Sequence, residues 1–524
     1  MYENKNLQST ISNQEQFSKV ENPNVKRTTF DRSSGYKTTL DAGKLYPVFC
    51  DEALPGDTFD VKATMFGRIN TPLVPIMDNI KFDLHFFSVP CRLVWDNWQK
   101  FMGEQIDPAD SIDYLIPTLD TTALTFTEES IFDYFGLPTK VTGLADVNAL
   151  PLRAYNLIYN EWYRDQNLQD SVTVNKGDGP DLLTDYALLN RNKRKDYFTG
   201  ALPFAQKGAA VSIPLGTEAA VIGNGPMTGR TIADATERTW TSGTGATTLG
   251  LSGYASGNSS VYYNAGLKVD LTDATAATIN ALRLAFSTQR FLEKDARAGT
   301  RYIEILKSHF NVESPDARLQ RPEYLGGSSV DVNMTPVAQT SESSTGNELG
   351  KLGAVGTFSV NQNGFVKSFV EHEYIIGVVS VRADLNYQQG LHRMWTRQTR
   401  FDLYWPAFAH LGEQAIENRE IYAQGTSADT DVFGYAERYS EYKYKPSAIT
   451  GQFRSNHSTS LDIWHLAQDF SALPVLNESF IAENPPIDRT IATPAEPQFK
   501  LDCFFNNKTT RPMPLYSVPS LMEL

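Results

Sequence analysis

The sequence predicts a mainly β protein: one antiparallel β-domain, a double-sheet jelly roll, with long helix- and loop-containing insertions in its connections. Three observations carry that prediction. The chain holds 24 Tyr, 29 Phe and 7 Trp together with 27 Pro and 35 Gly. Aromatic and β-branched side chains suit pleated surfaces, and Pro and Gly suit the turns between short strands. Strand-like segments occur both early and late, with helical and loop-like stretches between them. A double sheet can close around such distant strands, so its connections can lengthen without disturbing the core.

In chain order, residues 1–29 are polar and read as an extended or disordered arm. Strands are expected over 44–50, 58–69 and 79–90, separated by turn chemistry such as Pro55-Gly56-Asp57. The third is the clearest, because Ile80, Phe82, Leu84 and Phe86 alternate with Lys81, Asp83 and His85. After Pro90 an amphipathic helix is expected from Cys91 to Met102, with Val94, Trp98 and Phe101 on one side. Another is expected over 151–168, opened by Pro151 and carrying Tyr155, Ile158, Tyr159 and Trp162 at helical spacing.

Arg191, Lys193, Arg194 and Lys195 then crowd four cations into five positions. Residues 216–266 hold ten Gly, nine Thr and five Ser among 51 positions, with only five charges. That composition lacks the apolar density of a core and predicts a surface insertion. A helix is expected over 274–296, with Ile279, Leu282 and Phe286 on one face and Leu284 and Phe291 nearly opposite, a pattern that calls for cover on two sides. Strands return within 364–384, and Leu501, Cys503, Phe504 and Phe505 lead into Lys508 and Arg511. The division expected is an arm (1–29), a first part of the β-domain (30–215), a surface insertion (216–270), a second part (271–500) and a C-terminal strand with a basic, Pro-rich tail (501–524).

Composition bounds function. No apolar run approaches the roughly 18 residues of a membrane span. The N-terminus lacks the layout of a signal peptide, so a cytosolic origin is expected. Three cysteines are too few for a disulfide framework or a thiolate zinc site. With 47 basic against 61 acidic residues, a net of −14, nucleic acid would be met only at local patches. The 191–195 run is one such patch, as a phosphate contact or as a solvated loop, which charge runs usually are. The termini supply another: Lys26 and Arg27 in the arm, and Lys508 and Arg511 in the tail. There Phe504 and Phe505 could stack on bases or belong to the core.

Catalytic constellations are missing. The run from Gly346 to Leu352 is one residue short of a phosphate loop, and Glu371-His372-Glu373 has Ile376 where a second metal-binding histidine would stand. His410 and Glu413 form a single, isolated i, i+3 pair. No enzymatic activity, metal or cofactor is therefore expected. A jelly roll that binds or cleaves carbohydrate is the alternative, since two carboxylates on a β-scaffold leave no linear motif.

Several blocks resemble one family. They are FDRSSGYKTTLDAGKLYPVFCDEALPGDTF (30–59), MFGRINTPLVPIMDNIKFDLHFFSVPCRLVWDNWQKFMGE (65–104), LPLRAYNLIYNEWYRDQNL (150–168), RFLEKDARAGTRYIEILKSHFNV (290–312), RLQRPEYLGGSSVDVNMTPVAQTS (318–341) and KTTRPMPLYSVPSL (508–521). They are similar to the major capsid proteins of the Microviridae, within the gokushovirus group of small single-stranded DNA phages. The resemblance implies an eight-stranded jelly roll and a T=1 icosahedral shell around circular single-stranded DNA. It also implies that the 216–270 insertion forms a three-fold protrusion used in host attachment, with Trp240, Leu249, Tyr254, Tyr262 and Tyr263 as candidates for host contact.

In such a shell, Trp95, Trp98, Ile279, Leu282, Phe286 and Phe291 become candidates for subunit contacts. The implied partners are further copies of the chain, the DNA genome, an internal scaffolding protein, a DNA pilot protein and a host receptor. The implied place is the virion, assembled in a bacterial cytoplasm without membrane insertion.

Overall fold

The first five strands are β1 (Thr28–Asp31), β2 (Ser34–Leu40), β3 (Tyr46–Ala53), β4 (Thr58–Ile69) and β5 (Ile80–Pro90) in the computed structural model. That model describes residues 26–121, 125–212, 278–340 and 349–516, together with the backbone of six strands between Ala220 and Asp270. Those six are β6 (Ala220–Gly223), β7 (Thr228–Thr231), β8 (Asp234–Ser242), β9 (Leu249–Leu251), β10 (Val261–Asn264) and β11 (Leu267–Asp270). After them come β12 (Glu323–Asp331), β13 (Asn333–Ala338), β14 (Leu352–Ser368), β15 (Glu373–Ala383), β16 (Glu413–Glu417), β17 (Val432–Glu437) and β18 (Phe499–Arg511). The polar arm over 1–25 lies outside the described residues.

Two antiparallel sheets are built from distant parts of the chain. In the first, β1 and β2 both pair with β18, followed by β4, β14 and β13. In the second the order is β12, β5, β15, β3. Their inner faces interdigitate: Phe82 stacks on Phe358 at 4.4 Å, Phe49 meets Phe505 at 5.1 Å, and Phe86 meets Phe365 at 5.3 Å. Each pair joins one ring from each sheet, which makes the assembly a β-sandwich. In β4 the sequence alternation is the packing alternation, with Phe59, Val61, Ala63 and Met65 buried between half-buried or exposed neighbours. Close approach also dictates a glycine, because a Cβ at Gly364 would lie 1.8 Å from the Val61 carbonyl oxygen across the β4–β14 ladder.

β5 departs from simple alternation. Its apolar face is core, yet Asp83 on the other face is buried as well and His85 is half-buried. That second face is covered by helix Leu150–Ile158 and the segment after it, which form a second core with Phe87, Val89, Tyr155 and Ile376. The helix expected over 151–168 ends early, passing into a π-helical turn at Tyr159–Tyr163. There the Asn160 side chain donates to Val172 O at 2.8 Å and accepts from Val172 N at 3.0 Å, diverting the chain.

The helix expected from Cys91 to Met102 is instead two single turns, Cys91–Val94 and Trp98–Phe101. Between them Trp95 drives fully into the second core and donates its indole N–H to Asp178 at 2.8 Å. An inward ring at that position interrupts the helical spiral that Val94, Trp98 and Phe101 suggested. The helix expected over 274–296 is found at Ile279–Ala298, capped by the Thr278 hydroxyl, which accepts from Ala281 N at 3.1 Å.

The chain divides into two compact units, 1–203 with 300–524, and 204–299. Within the second, β10, β7, β8 and β9 pair in that order and β6 pairs with β11. These pairings involve the Gly-, Ser- and Thr-rich stretch. Composition predicted a surface insertion there and gave no sign of its strands. Among the described residues, no helix is long and apolar enough to cross a membrane.

Candidate assembly and nucleic-acid surfaces

The cation run at 191–195 is split by the fold. Arg191 turns inward to Asp83 Oδ2 at 2.6 Å and to the Ser380 hydroxyl at 2.7 Å, while Arg382 Nε reaches the same Asp83 oxygen at 2.8 Å. Burial works against this carboxylate, but a hydrogen bond from Ser329 and the two guanidinium charges hold it below the usual carboxylate range. Lys193 is buried too; its ammonium donates to Phe480 O at 2.7 Å and sits 4.8 Å from that ring's centroid. Burial pulls its pKa down. Arg194 and Lys195 are exposed, and Lys195 pairs with Asp165. As candidates for phosphate contact, Arg191 and Lys193 are thus already engaged inside the subunit, whereas Arg194 and Lys195 face solvent.

The first and last described strands come together. β1 pairs with the end of β18, opposing Asp31 to Lys508 and Thr28 to Arg511. Lys26 and Lys508 are exposed. Arg27 bonds Gly56 O and the Thr58 hydroxyl, the latter at 3.1 Å. Arg511 is 3.0 Å from buried Asp57 and donates to Glu52 O at 2.5 Å. Alternation in β18 divides the two neighbouring rings, placing Phe505 in the core and Phe504 outside. Only one of the pair is free to stack on anything.

The subunit-contact candidates also divide. Trp95 is wholly internal and Trp98 half-buried, beside Phe101 and His372. Ile279 and Phe286 are 69% and 65% exposed, and Leu282 and Phe291 are exposed with them. The candidates for host contact, Trp240, Leu249, Tyr262 and Tyr263, lie on β8, β9 and β10, and Tyr254 lies outside the described residues. Among the described residues, no three His, Cys, Asp or Glu converge as a metal site.

Two surfaces escaped the sequence reading. In the long connection between β15 and β18, Trp395 is 73% exposed, and Phe401, Tyr404 and Trp405 are exposed close by in sequence. Arginines are interleaved with them: Arg397 lies 4.1 Å from the Tyr442 ring and Arg400 4.7 Å from the Phe401 ring. The segment is held by its own bonds, with Asp402 accepting from Gln398 N and Thr399 N, and the Trp405 indole donating to Arg400 O at 2.7 Å. A second loop, after the Trp98–Phe101 turn, exposes Ile106 at 82% and Leu115 at 85% among Glu104, Asp107 and Asp113. Asp110 anchors it, accepting from Ile106 N and Asp107 N at 3.2 Å, bonds that keep its carboxyl below the usual range. Apolar side chains alternating with like charges were the available signal, for both loops.

A family model described as capsid protein (F protein) matches residues 18–521. This chain belongs to that family. It is 50% identical to the capsid protein VP1 of Bdellovibrio phage phiMH2K, over 97% of this chain and 98% of the relative. It is also similar to the capsid proteins VP1 of Chlamydia phage 1, at 42% identity over the full length of both, and of Spiroplasma virus 4, at 36% over 93% of each. The capsid family identifies a Microviridae major capsid protein, a structural component of the virion rather than an enzyme.

Proposed function

We propose that this protein closes into a T=1 icosahedral shell around circular single-stranded DNA. The observation that carries the reading is end-to-end similarity to capsid proteins VP1. The architecture supports it. Numbering β2, β3, β4, β5, β12, β14, β15 and β18 along the chain as one to eight, the sheets run 1-8-3-6 and 2-7-4-5, the order of an eight-stranded jelly roll wound from one long hairpin. Its two longest connections, 91–322 and 384–498, are the insertions, and each leaves apolar side chains exposed for neighbours. The 216–270 segment carries host attachment. The arm and Lys508 face the genome, joined by Arg194 and Lys195. A scaffolding protein and a DNA pilot protein assist assembly.

Negative-stain microscopy of the purified chain, with and without a scaffolding partner, tests the shell. Uniform small particles are expected, and a persistently monomeric chain refutes the reading. Replacing 223–260 by a short Gly-Ser linker should keep particles while ending adsorption to host cells. Adsorption that survives removes the attachment role. Deleting 1–27 together with Lys508→Gln should reduce the DNA packaged and its sensitivity to salt; unchanged packaging rejects the inward-facing termini.

A further inference from the structure

We infer that the basic, ring-bearing surface at 391–405 and 438–445 docks onto the acidic, apolar loop at 104–116 of a second copy of this chain. The inference rests on the proposed shell and names one of its contacts. Three properties of the two surfaces point to each other.

The first is charge. The two basic segments hold six cations (Arg393, Arg397, Arg400, Arg438, Lys443 and Lys445) against Asp402 and Glu441, in a chain whose net charge is −14. Internal pairs absorb some of these, Arg397 with Glu441, Arg393 with Glu420 and Lys443 with Glu437. Among the described residues, Arg400, Arg438 and Lys445 pair with no carboxylate. The acidic side is more one-signed still: residues 104–116 contain four Asp or Glu and no Lys or Arg. Glu104, Asp107 and Asp113 are exposed there and form no ion pair among the described residues, the nearest charge acting on the loop being that of Lys100 on Asp110.

The second is apolar surface. Trp395 and Trp405 on one side, and Ile106 and Leu115 on the other, are large side chains left in water by the subunit. Aromatic rings with arginine are the composition of contact hot spots, and aliphatic side chains are what such rings cover. The third is order. Both loops are fixed by backbone N–H groups that donate to Asp402 and to Asp110, so little conformational freedom is lost on docking. Since the two surfaces differ, the contact is heterologous, and a heterologous contact repeated by rotation closes rings.

Rings with arginine also suit single-stranded DNA, but polynucleotide leaves the matching acidic loop without a function, and a second copy uses both. The test exchanges the charges across the contact in the full-length chain. Arg400→Glu with Lys445→Glu should lower particle yield by about tenfold or more, and Glu104→Lys with Asp107→Lys should do the same. The chain carrying all four substitutions should recover particles, because each reversed surface again faces its opposite. Circular dichroism and urea midpoints unchanged in every variant keep folding out of the comparison.

A fourfold variant no better than either double variant overturns the contact, provided wild type forms particles. Double variants that assemble normally but package less DNA overturn it in favour of polynucleotide. A wild type that forms no particles under any condition defeats the shell reading itself, an outcome distinct from failure of rescue.

Discussion

Two parts of the subunit invert the usual arrangement of charges and rings. Around β5, charges are inside: Asp83 lies between Arg191 and Arg382, and Lys193 is buried against Phe480. Around 391–405, rings are outside, with Trp395 and Trp405 in solvent beside arginines. The buried charges are satisfied within one chain, each by a partner at hydrogen-bond distance. The exposed rings keep faces that the described residues leave uncovered, 73% of Trp395 and 47% of Trp405. Burying a paired charge reports on how the subunit holds itself together, and exposing a ring reports on what it is built to meet.

The comparison breaks most sharply at Asp83. Asp83→Ala leaves two guanidinium groups facing each other without their anion, and a loss of about 3–5 kcal/mol is expected in urea unfolding of the unassembled subunit. An unchanged midpoint means the buried pair contributes no stability.

His85 gives a pH-dependent version of the same point. Burial pushes its imidazole from 6.5 down to about 4, against the opposing pull of Asp83 and with Arg191 and Arg382 adding to the depression. Above pH 6.5 the ring is neutral in both folded and unfolded chains. Between 6.5 and about 4 the unfolded chain takes up a proton that the folded one refuses, so stability falls as pH falls through that window. The loss is on the order of 2 kcal/mol, and His85→Gln should flatten that part of the stability–pH curve. A wild-type curve level from pH 7 to 4.5 would contradict this, as would a variant with the same slope.

On the outer surface, Trp395→Ala, at the ring that is 73% exposed, should move subunit stability by no more than about 0.5 kcal/mol while particle formation drops. Large destabilisation would show this ring to be core rather than contact. The smallest effect is expected at Lys37–Asp502, an exposed pair 3.0 Å apart. Lys37→Ala should change the unfolding free energy by well under about 1 kcal/mol, and less at high salt. A larger change would place that edge of the sheet under an unrecognised constraint.

Parts of this were legible along the chain. The alternation of Ile80, Phe82, Leu84 and Phe86 named a strand and its core face, and all four are buried. The same alternation said nothing about Asp83 and His85 being covered, because a period of two sorts side chains to two faces without saying what lies over either. Trp95 shows a related limit. Helical spacing through Val94, Trp98 and Phe101 was genuine, but the space available to one indole decided that the helix breaks. The ring-bearing surface at 391–405 leaves a trace in the sequence, rings interleaved with arginines, but that pattern does not say which of those side chains stay in water.

By itself, the sequence determined the β class, the strand faces, the acidic balance that confines polynucleotide to local patches, and membership in a capsid family. Only the tertiary structure decided which cations are spent inside, which rings stay in water, and how β1 meets β18. Thr29 and Thr510 share a hydrogen bond of 2.8 Å although 481 residues separate them. Strand faces follow from neighbouring residues, so they can be read along the chain. Pairing across such a separation is set by the closure of two sheets around one core, which every strand must complete together.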